Sequence, residues 1–460
     1  MNEKLKHRKW GGLFALSFLL IALFFCNCNE HMDTYQVPVG TPPDLSKPSE
    51  ITSFSPDSGG VGTQLIIEGN NFGSDTSYIK VTVNGKNARV IGANGKTIYA
   101  IVPSRADTGL VKVYIGKDQD KKEYAFNNDF KYIYKQNVST IAGTEEGITD
   151  GPITEATLKR PSWIAFDKDG AMYVVENSGE GGEQGQGGIR KIYNGEVETL
   201  MRTQPGPFRR SRAVAFGVAK PGMDPNQDTL YVANDHNENN DPNINMAVGI
   251  MSRQNGFRTI KVLAYHRQCN HVTVNPVTND IFYNNFSDGL LYRWDKKTQQ
   301  GVQLCDLQGG NVEFSTVFSK DGRTIYLILR NKHCIYKADY DLATGQLVAE
   351  PELFAGEWDR SGYINGQGSV ARFRDPSQGD TDEEGNLYVA DRNNHCIRKI
   401  SPDGIVTTWA AKGGENTGGY KDGDPQTAEF RAPEGCSFGP DGALYIADHD
   451  NHKIRKILVE

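Results

Sequence analysis

The chain has 460 residues, of which 37% are hydrophobic and 10% aromatic. This is enough apolar surface for a folded core, and domains of roughly 100–200 residues predict at least two of them. Fifty glycines indicate many tight turns, and twenty tyrosines and twenty phenylalanines favour strands over a helical bundle. The formal net charge of −7 disfavours binding to a phosphate backbone, so no nucleic acid partner is expected.

The first 28 residues have the three parts of a secretory signal. Basic residues lie at positions 4, 6, 8 and 9, an apolar run covers 11–25, and cysteines follow at positions 26 and 28. About 15 apolar residues are too few for a comfortable membrane span but suit the core of a signal peptide. The segment resembles a bacterial lipoprotein signal, which implies a lipid on Cys28 or on Cys26. An ordinary cleaved signal without lipid is the alternative.

Residues 29–48 are predicted to be a Pro-rich tether. Their acidic start at 29–33 resembles the surface-export tag of outer-membrane lipoproteins in polysaccharide-degrading gut bacteria. Prolines at positions 38, 42, 43 and 48 predict a stiff, extended chain. We therefore expect a protein held at the outer membrane by its lipid anchor and facing the cell exterior.

Short runs of alternating apolar and polar residues fill 49–135, separated by turn signals such as Asn84-Gly85 and Asn94-Gly95. These dipeptides are favoured in two-residue hairpins, and this spacing over about 85 residues favours an immunoglobulin-like sandwich. The segment resembles an IPT/TIG domain through ITSFSPDSGG at 51–60, IEGNNFG at 67–73, VNG at 83–85 and IVP at 101–103. Such domains act as spacers or contacts in extracellular proteins, and we predict no chemistry in this one.

From residue 137 to residue 460 the sequence repeats a unit of four predicted strands. An aromatic residue marks the second strand of each unit. These residues lie 44 to 62 positions apart and are Tyr173, Tyr231, Phe282, Tyr326, Tyr388 and Tyr445. Four strands per unit at this period are typical of β-propeller blades. The first and the last two copies resemble NHL repeats through segments such as DGALYIAD at 441–448 and NHKIRKI at 451–457.

We therefore predict an all-β protein in which an N-terminal immunoglobulin-like (IPT/TIG) sandwich precedes a six-bladed NHL-type β-propeller. The last unit ends after three strands, and residues 138–143 resemble the fourth strand of the preceding unit. An N-terminal strand would therefore complete the last blade and leave no open sheet edge. A seventh blade hidden in 330–375 is the alternative.

Five cysteines follow the N-terminal segment, at positions 269, 305, 334, 396 and 436. None forms a C-x-x-C pair, and an odd number cannot be bridged completely within the chain. Cys334 and Cys396 occupy the same place in two repeats, one repeat apart. We expect buried free thiols, and we predict neither a metal site nor a cofactor.

In an up-and-down blade, the loop into the innermost strand and the loop between the second and third strands lie on one face, where a rigid scaffold usually places function. Here these loops contain Arg, Asn, Asp, His and Trp, which suit the hydroxyl and C–H groups of sugars. The predicted ligand-binding residues are Trp163, Arg209, Arg210, Arg212, Asn234, His236, His271, Arg374, Gln378 and Arg431. The same loops contain Glu313, Arg330, Arg392, Glu434 and His449.

Each of these side chains also has a structural interpretation, because every propeller has polar residues on this face. Asp391 and Asp448 are expected to tie loops together, and His395 and His452 to be structural parts of a turn. A structural role accounts for the cluster of Arg209, Arg210 and Arg212 less well than for the other loop residues. This cluster therefore suggests a carboxylated or sulfated ligand. Two insertions, at 179–188 and 237–245, should overhang the face as a lid or as slack loops.

No catalytic signature such as Gly-x-Ser-x-Gly or His-Glu-x-x-His is present in the sequence, and no catalytic residue is predicted. Anchor, spacer and propeller together resemble the surface glycan-binding lipoproteins of Sus-type polysaccharide-utilisation systems. This resemblance implies capture of an extracellular polysaccharide or oligosaccharide and its delivery to an outer-membrane transporter complex. One alternative is a polysaccharide lyase or hydrolase in which Asp235, His236 and His271 meet at the propeller mouth. Another is a surface scaffold for protein–protein interactions.

Overall fold

The computed structural model describes residues 40–103, 105–134, 136–176, 187–202, 208–217, 229–235 and 245–459. Within these ranges the chain forms strands and short 3₁₀ turns, and no α-helix. The 3₁₀ turns are Thr76–Tyr78, Asp118–Asp120, Arg253–Asn255, Arg330–Lys332, Gly368–Val370, Arg392–Asn394 and His449–Asn451. The predicted all-β fold class is confirmed.

The N-terminal sandwich is built from the alternating segments that the sequence indicates. Its strands are β1 (Glu50–Ser55), β2 (Ser58–Gly59), β3 (Gln64–Asn70), β4 (Ile79–Val83), β5 (Lys86–Ala93), β6 (Thr97–Ile101), β7 (Gly109–Ile115) and β8 (Lys122–Tyr132). They are hydrogen-bonded in the order β1-β3-β6-β5-β4-β7-β8-β2. Because alternate residues of a strand face opposite sides, Leu65 and Ile67 of β3 point inward and are fully buried with Val81 and Ile98.

Two hairpin connections differ although both contain an Asn-Gly signal. Asn84 and Gly85 form the two-residue turn between β4 and β5, with φ of 46° and 79° as a type I′ turn requires. The connection between β5 and β6 has three residues. There the Asn94 side chain accepts hydrogen bonds from the backbone N–H groups of Lys96 and Thr97, at 3.1 and 2.8 Å. This side-chain bonding explains why the second connection is longer.

Six further sheets form the blades of a propeller, preceded by β9 (Gln136–Ala142). Blade 1 consists of β10 (Gly151–Pro152), β11 (Pro161–Phe166), β12 (Met172–Glu176), β13 (Gly188–Tyr193) and β14 (Glu196–Arg202). Blade 2 consists of β15 (Ser211–Phe216), β16 (Thr229–Asn234), β17 (Met246–Ser252) and β18 (Ile260–Tyr265). Blade 3 consists of β19 (Val272–Val274), β20 (Ile281–Asn285), β21 (Leu290–Asp295) and β22 (Gln300–Asp306). Blade 4 consists of β23 (Phe314–Phe318), β24 (Thr324–Leu329), β25 (Cys334–Asp341), β26 (Gln346–Leu347) and β27 (Glu352–Gly356). Blade 5 consists of β28 (Gly366–Gln367), β29 (Pro376–Thr381), β30 (Leu387–Asp391), β31 (Cys396–Ile400) and β32 (Ile405–Ala410). Blade 6 consists of β33 (Pro433–Phe438), β34 (Leu444–Asp448) and β35 (Lys453–Val459).

The first propeller strand closes the ring. β9 pairs antiparallel with β35, with Gln136 opposite Val459 and Ala142 opposite Ile454. This pairing joins the last blade to the start of the propeller and removes an open sheet edge. The predicted closure is confirmed. Residues 330–375 contribute to blades 4 and 5, so the alternative of a seventh blade in that segment is wrong.

The core lies between neighbouring blades. All six aromatic residues that mark the repeats lie on the second strands of their blades, as predicted. Tyr173 of blade 1 is fully buried and packs edge-to-face on Phe216 and Phe257, with ring centroids 4.7 and 5.7 Å apart. Such a pair contributes about 0.5–1.5 kcal/mol beyond the burial of its area.

The five cysteines of the propeller are free and buried, as expected. Burial raises the pKa of the Cys269 thiol to about 12, and it also raises the pKa of Cys334 to about 12. A thiol with such a high pKa is not a nucleophile at neutral pH.

The sandwich meets the propeller at the turn between β33 and β34, the first and second strands of blade 6. The guanidinium of Arg105 lies so close to Gly442, between β33 and β34, that a Cβ on this glycine would collide with it. β9 also begins on this side, because it runs antiparallel to β35. The opposite face of the propeller therefore points away from the sandwich. Among the described residues, no helix has the length and apolarity needed to cross a membrane.

Candidate functional site

The loops that precede each innermost strand pack against the loops that follow each second strand, and we call the surface they form the loop face. The backbone N–H of Asp235 donates to the Arg210 carbonyl at 2.9 Å, and that of Arg330 donates to the Glu313 carbonyl at 2.8 Å. The predicted juxtaposition of these two sets of loops is confirmed. Function on this face would draw on several blades at once.

Three histidines join neighbouring blades along the loop face. His333, His395 and His452 each follow a 3₁₀ turn with a positive φ, and each accepts a backbone N–H of the next blade at Nδ1. Their donors are Asp375, Ala432 and Arg160, at 3.1, 3.0 and 3.1 Å. Burial lowers the pKa of His395 and His452, which favours the neutral rings that can accept these bonds. Their predicted structural role is confirmed.

Gln378 spans the central channel from blade 5 to blade 1. Its Oε1 accepts the Ile164 N–H at 3.0 Å, and its Nε2 donates to the Ile164 carbonyl at 2.7 Å. The side chain crosses blade 6 at Gly435, where a Cβ would come within 2.8 Å of the Gln378 Oε1. Both ends of this amide are therefore bound to the protein backbone.

Trp163 and His271 fill the channel next to it. Their rings lie 5.1 Å apart, and the indole Nε1 donates to the Val214 carbonyl at 3.1 Å. His271 is buried and its Nε2 lies 2.9 Å from the Thr316 hydroxyl. Burial lowers the pKa of His271 to about 3, so its ring is neutral at physiological pH. The channel is a packed core and not an open pore.

Asn234 shapes the loop that contains two of the predicted arginines. It is fully buried, and its Oδ1 accepts the backbone N–H groups of Arg209 and Arg210 at 2.8 and 3.1 Å. Its Nδ2 donates to the Met246 carbonyl at 2.9 Å. The amide thus positions Arg209 and Arg210. His236 lies outside the described residues, as does most of both insertions.

A small cavity of about 40 Å³ opens at the end of the channel on the loop face. We call it the mouth, and it is lined by Ser162, Trp163, Arg212, Asn270, Glu313, Phe314, Ser315, Ile328, Arg330, Ser377 and Glu434. Because roughly 10–15 Å³ holds one water, this volume admits a few waters or hydroxyl groups but no sugar ring. A larger ligand would lie over the mouth and insert only part of itself.

Ion pairs converge on Glu434, which is only 4% exposed. Arg330 Nη1 lies 2.9 Å from its Oε1, while His449 Nε2 and Arg392 Nε lie 3.3 and 3.7 Å from its Oε2. Burial alone would raise the pKa of Glu434, but its electrostatic interactions with Arg330, His449, Arg392 and Arg212 outweigh burial and hold the pKa at about 2. Glu434 therefore remains a carboxylate throughout the physiological pH range.

A second carboxylate completes the mouth. Glu313 Oε2 lies 3.6 Å from Arg212 Nη2 and 3.8 Å from Arg330 Nη1. Further out on the loop face, Arg210 pairs with Asp235 at 3.1 Å and Arg374 pairs with Glu415 at 3.0 Å, and Arg431 is exposed. The face thus alternates guanidinium and carboxylate groups. No cluster of three or more His, Cys, Asp or Glu side chains that could hold a metal ion occurs in the described ranges.

Comparison with known proteins agrees with both parts of the fold. Residues 48–132 match the IPT/TIG domain, and residues 271–417 match the SMP-30/gluconolactonase/LRE-like region. An auxiliary nutrient binding protein from Bacteroides thetaiotaomicron is 31% identical, with coverage of 91% of this chain and 99% of that one and a TM-score of 0.62. The chain belongs to the family of this auxiliary nutrient binding protein.

Two further solved structures are similar over 91% of this chain. An auxiliary nutrient binding protein from Bacteroides ovatus is 26% identical with a TM-score of 0.67, and all of that chain is covered. A protein from Bacteroides thetaiotaomicron described as a putative phosphatase is 27% identical with a TM-score of 0.63, and 99% of that chain is covered. The chain spans only 26% and 19% of the length of the curated relatives that it matches.

The structure brings Trp163 and Arg212 together at the mouth, while Arg209, Arg210, Arg374 and Arg431 lie on loops further out on the same face. The sequence places Glu434 in a loop of this face but does not single it out as a site residue. A comparison of the repeats with one another could have identified it. Ser162 and Ser377 follow the proline that begins the innermost strand in blades 1 and 5, and blade 6 has Glu434 at that position.

Proposed function

We propose that the protein binds an extracellular polysaccharide or oligosaccharide on the loop face of its propeller, for uptake into the cell. The observation that supports this most is the mouth, where Trp163 lies beside guanidinium and carboxylate groups that face a concave space. Family members described as auxiliary nutrient binding proteins agree with a binding role.

The geometry suits a ligand rich in hydroxyl groups. Each sugar hydroxyl can accept a hydrogen bond from a guanidinium and donate one to a carboxylate, and the mouth offers both within a few ångströms. Charge-assisted hydrogen bonds of this kind are stronger than neutral ones. Because His333, His395 and His452 hold the loops at the start of blades 5, 6 and 1, little ordering of these three loops remains to oppose binding.

The position of the sandwich supports presentation of the loop face to the medium. A lipid on Cys28, or on Cys26, would attach the N-terminus to the outer membrane, and the sandwich lies on the opposite side of the propeller from the loop face. The loop face would then point outward, where a glycan can be captured and passed to a neighbouring transporter complex.

Retention of the chain from residue 33 onward in affinity gels containing neutral or anionic polysaccharides tests this function. We expect retention by at least one polysaccharide, and weaker retention for Arg212→Ala and Arg431→Ala. Arg323→Ala is the matched control, because Arg323 is an exposed arginine in the turn between β23 and β24, on the opposite face. Retention that is lost equally in the control would place the site elsewhere.

The same samples are assayed for new reducing ends, unsaturated sugars and, given the relative described as a putative phosphatase, released phosphate. Retention without product supports a binding protein, whereas product formation would make the protein an enzyme. No retention by any polysaccharide would refute the proposal and favour the protein-scaffold alternative.

A further inference from the structure

We infer that the mouth recognises the neutral hydroxyl edge of a sugar and discriminates against carboxylated and sulfated sugars. This inference rests on the proposed glycan-binding function and specifies its substrate class. It is the opposite of what the cluster of Arg209, Arg210 and Arg212 suggests from the sequence, and the reason lies in the acidic partners that the fold brings to these loops.

The first observation is that the arginines on this face already have carboxylate neighbours. Five of them lie at ion-pair distance from an acidic side chain: Arg210 with Asp235, Arg212 with Glu313, Arg330 and Arg392 with Glu434, and Arg374 with Glu415. A ligand anion would have to compete with these internal carboxylates for the same guanidinium groups. Hydroxyl groups need no such exchange, because they bridge a guanidinium and a carboxylate without separating them.

The second observation is the state of the Glu434 carboxylate. Its Oε2 is buried and, within the described part of the chain, accepts no hydrogen bond, although His449 and Arg392 lie 3.3 and 3.7 Å from it. This oxygen is closed to water, so a ligand meets Glu434 only where the residue lines the mouth. There a sugar hydroxyl can donate a hydrogen bond to the carboxylate. Ionised carboxylate and sulfate groups only accept hydrogen bonds and would add repulsion.

The third observation concerns size and charge. The mouth admits hydroxyl groups but no ring, so a sugar can offer it only one edge. The formal charges of the side chains that line this space balance, with Arg212 and Arg330 against Glu313 and Glu434, so it holds no excess positive charge for a ligand anion.

Matched polysaccharide pairs that differ only in charge test this inference. Suitable pairs are dextran with dextran sulfate, and polygalacturonate with its carboxyl-reduced form, run beside the polysaccharides retained in the functional screen and their sulfated derivatives. For the pair that binds, we expect the neutral member to be bound at least about tenfold more tightly, because like charges brought together at an interface weaken binding strongly.

Removal of one acidic charge should shift this preference. Glu434→Gln and Glu313→Gln each release guanidinium groups for a ligand anion, so we expect weaker binding of the neutral polymer and stronger binding of the charged one. Glu352→Gln is the matched control, because Glu352 is exposed on the outer strand β27 and pairs with Lys337. Glu313 is more exposed than Glu434, so its substitution should disturb the fold less. If Glu434→Gln does not fold, the Glu313→Gln variant alone tests the inference.

The outcomes separate this inference from the function on which it rests. The inference is supported if the preference for the neutral polymer decreases in folded Glu434→Gln and Glu313→Gln and is unchanged in Glu352→Gln. Tighter binding of the charged member by the unmodified protein would overturn the inference and leave the glycan-binding function standing. A neutral preference that both folded variants retain unchanged would also overturn it, since the mouth would then not be the discriminating element. Failure to retain any polymer would refute the proposed function itself.

Discussion

Blades 1, 5 and 6 differ from blades 2 and 4 in how they fill the same position on the third strand. In the first group this position holds a fully buried arginine whose guanidinium meets a buried carboxylate at the end of the second strand. These pairs are Arg190–Glu176, Arg398–Asp391 and Arg455–Asp448, with N–O distances of 2.9, 2.8 and 2.6 Å. The carboxylate also accepts a backbone N–H of the loop into the innermost strand, as Asp391 does from Arg374 at 2.7 Å.

Blades 2 and 4 fill the same position on the third strand without charged side chains. In blade 2 the equivalent position is Gly249, and the ring of Phe208 fills the space so closely that a Cβ there would come within 2.8 Å of it. In blade 4 the position is Tyr336, and Leu329 ends the second strand where blades 1, 5 and 6 have an acid. Both partners of the ion pair are therefore absent together.

The buried arginine and its carboxylate therefore behave as one unit. A buried charge without its partner costs several kcal/mol, whereas replacement of both partners by apolar groups can be neutral. The charged blades are also those whose NHL pattern is clearest in the sequence, because the arginine and the acid are part of that pattern. The neutral blades depart from the pattern at both positions at once.

Arg398→Met should have the largest effect on stability, because it leaves the Asp391 carboxylate and the carbonyl of Ile364 without their guanidinium partner. We expect a loss of about 3–5 kcal/mol in the free energy of unfolding. Urea unfolding followed by tryptophan fluorescence measures it. Four of the five tryptophans lie in the propeller, and the fifth is Trp10 in the N-terminal segment.

Arg360→Met is the control for this variant, since Arg360 is largely exposed and its ion pair with Glu357 is a surface contact. A second variant that combines Arg398→Met with Asp391→Leu imitates blade 4 and should lose less stability than the single change. A double variant that is less stable than Arg398→Met would contradict the conclusion that the pair acts as one unit.

The pH dependence of stability tests the charge pairing at the mouth, where several cations surround Glu434. The pKa of Glu434 is held at about 2 in the folded protein, below its ordinary value of 4.5. A lowered pKa contributes stability that is present above about pH 4.5 and is lost as the pH falls towards 2, at roughly 1.4 kcal/mol per pKa unit. The difference in unfolding free energy between the unmodified protein and Glu434→Gln should therefore shrink over that interval. A difference that stays constant with pH would show that the cations do not hold the carboxylate.

Gly249→Ala tests whether Phe208 truly occupies the position that holds arginine in the charged blades. The added Cβ would come 2.8 Å from the phenylalanine ring and 3.2 Å from Ile260, so we expect overpacking to cost about 1–3 kcal/mol in the same urea assay. Gly217→Ala is the control, because the nearest atom to its Cβ is 3.7 Å away. Equal stability of the two variants would show that this space is not tightly filled.

The smallest effect is expected at the cysteines, where charged and neutral blades should behave alike. Cys334 of blade 4 and Cys396 of blade 5 are both fully buried, and burial raises the pKa of each thiol. Without denaturant, the chain from residue 33 onward should therefore not react measurably with a thiol reagent, while five thiols should react in urea. Fast reaction of one thiol in the native protein would reveal local opening of that blade.

Much of the fold is determined by the sequence alone. Alternating residues define the strands of the sandwich, and the recurring aromatic residues define six blades, because strand period and repeat length are local properties of the chain. The closure by β9 follows from the same repeat, since the last unit lacks its fourth strand and residues 138–143 match it. The roles of His395 and Asp391 are also encoded within the repeat.

The candidate site was decided by the tertiary structure. The sequence places arginines on the right loops but does not show that Glu434 of blade 6 meets Arg330 of blade 4 and Arg392 of blade 5. Nor does it show that the amide of Gln378 is bound to Ile164 of another blade. These contacts join residues far apart in sequence across a closed ring. The physical reason is that strand pattern depends on neighbouring residues, whereas charge pairing at the mouth depends on where six blades converge.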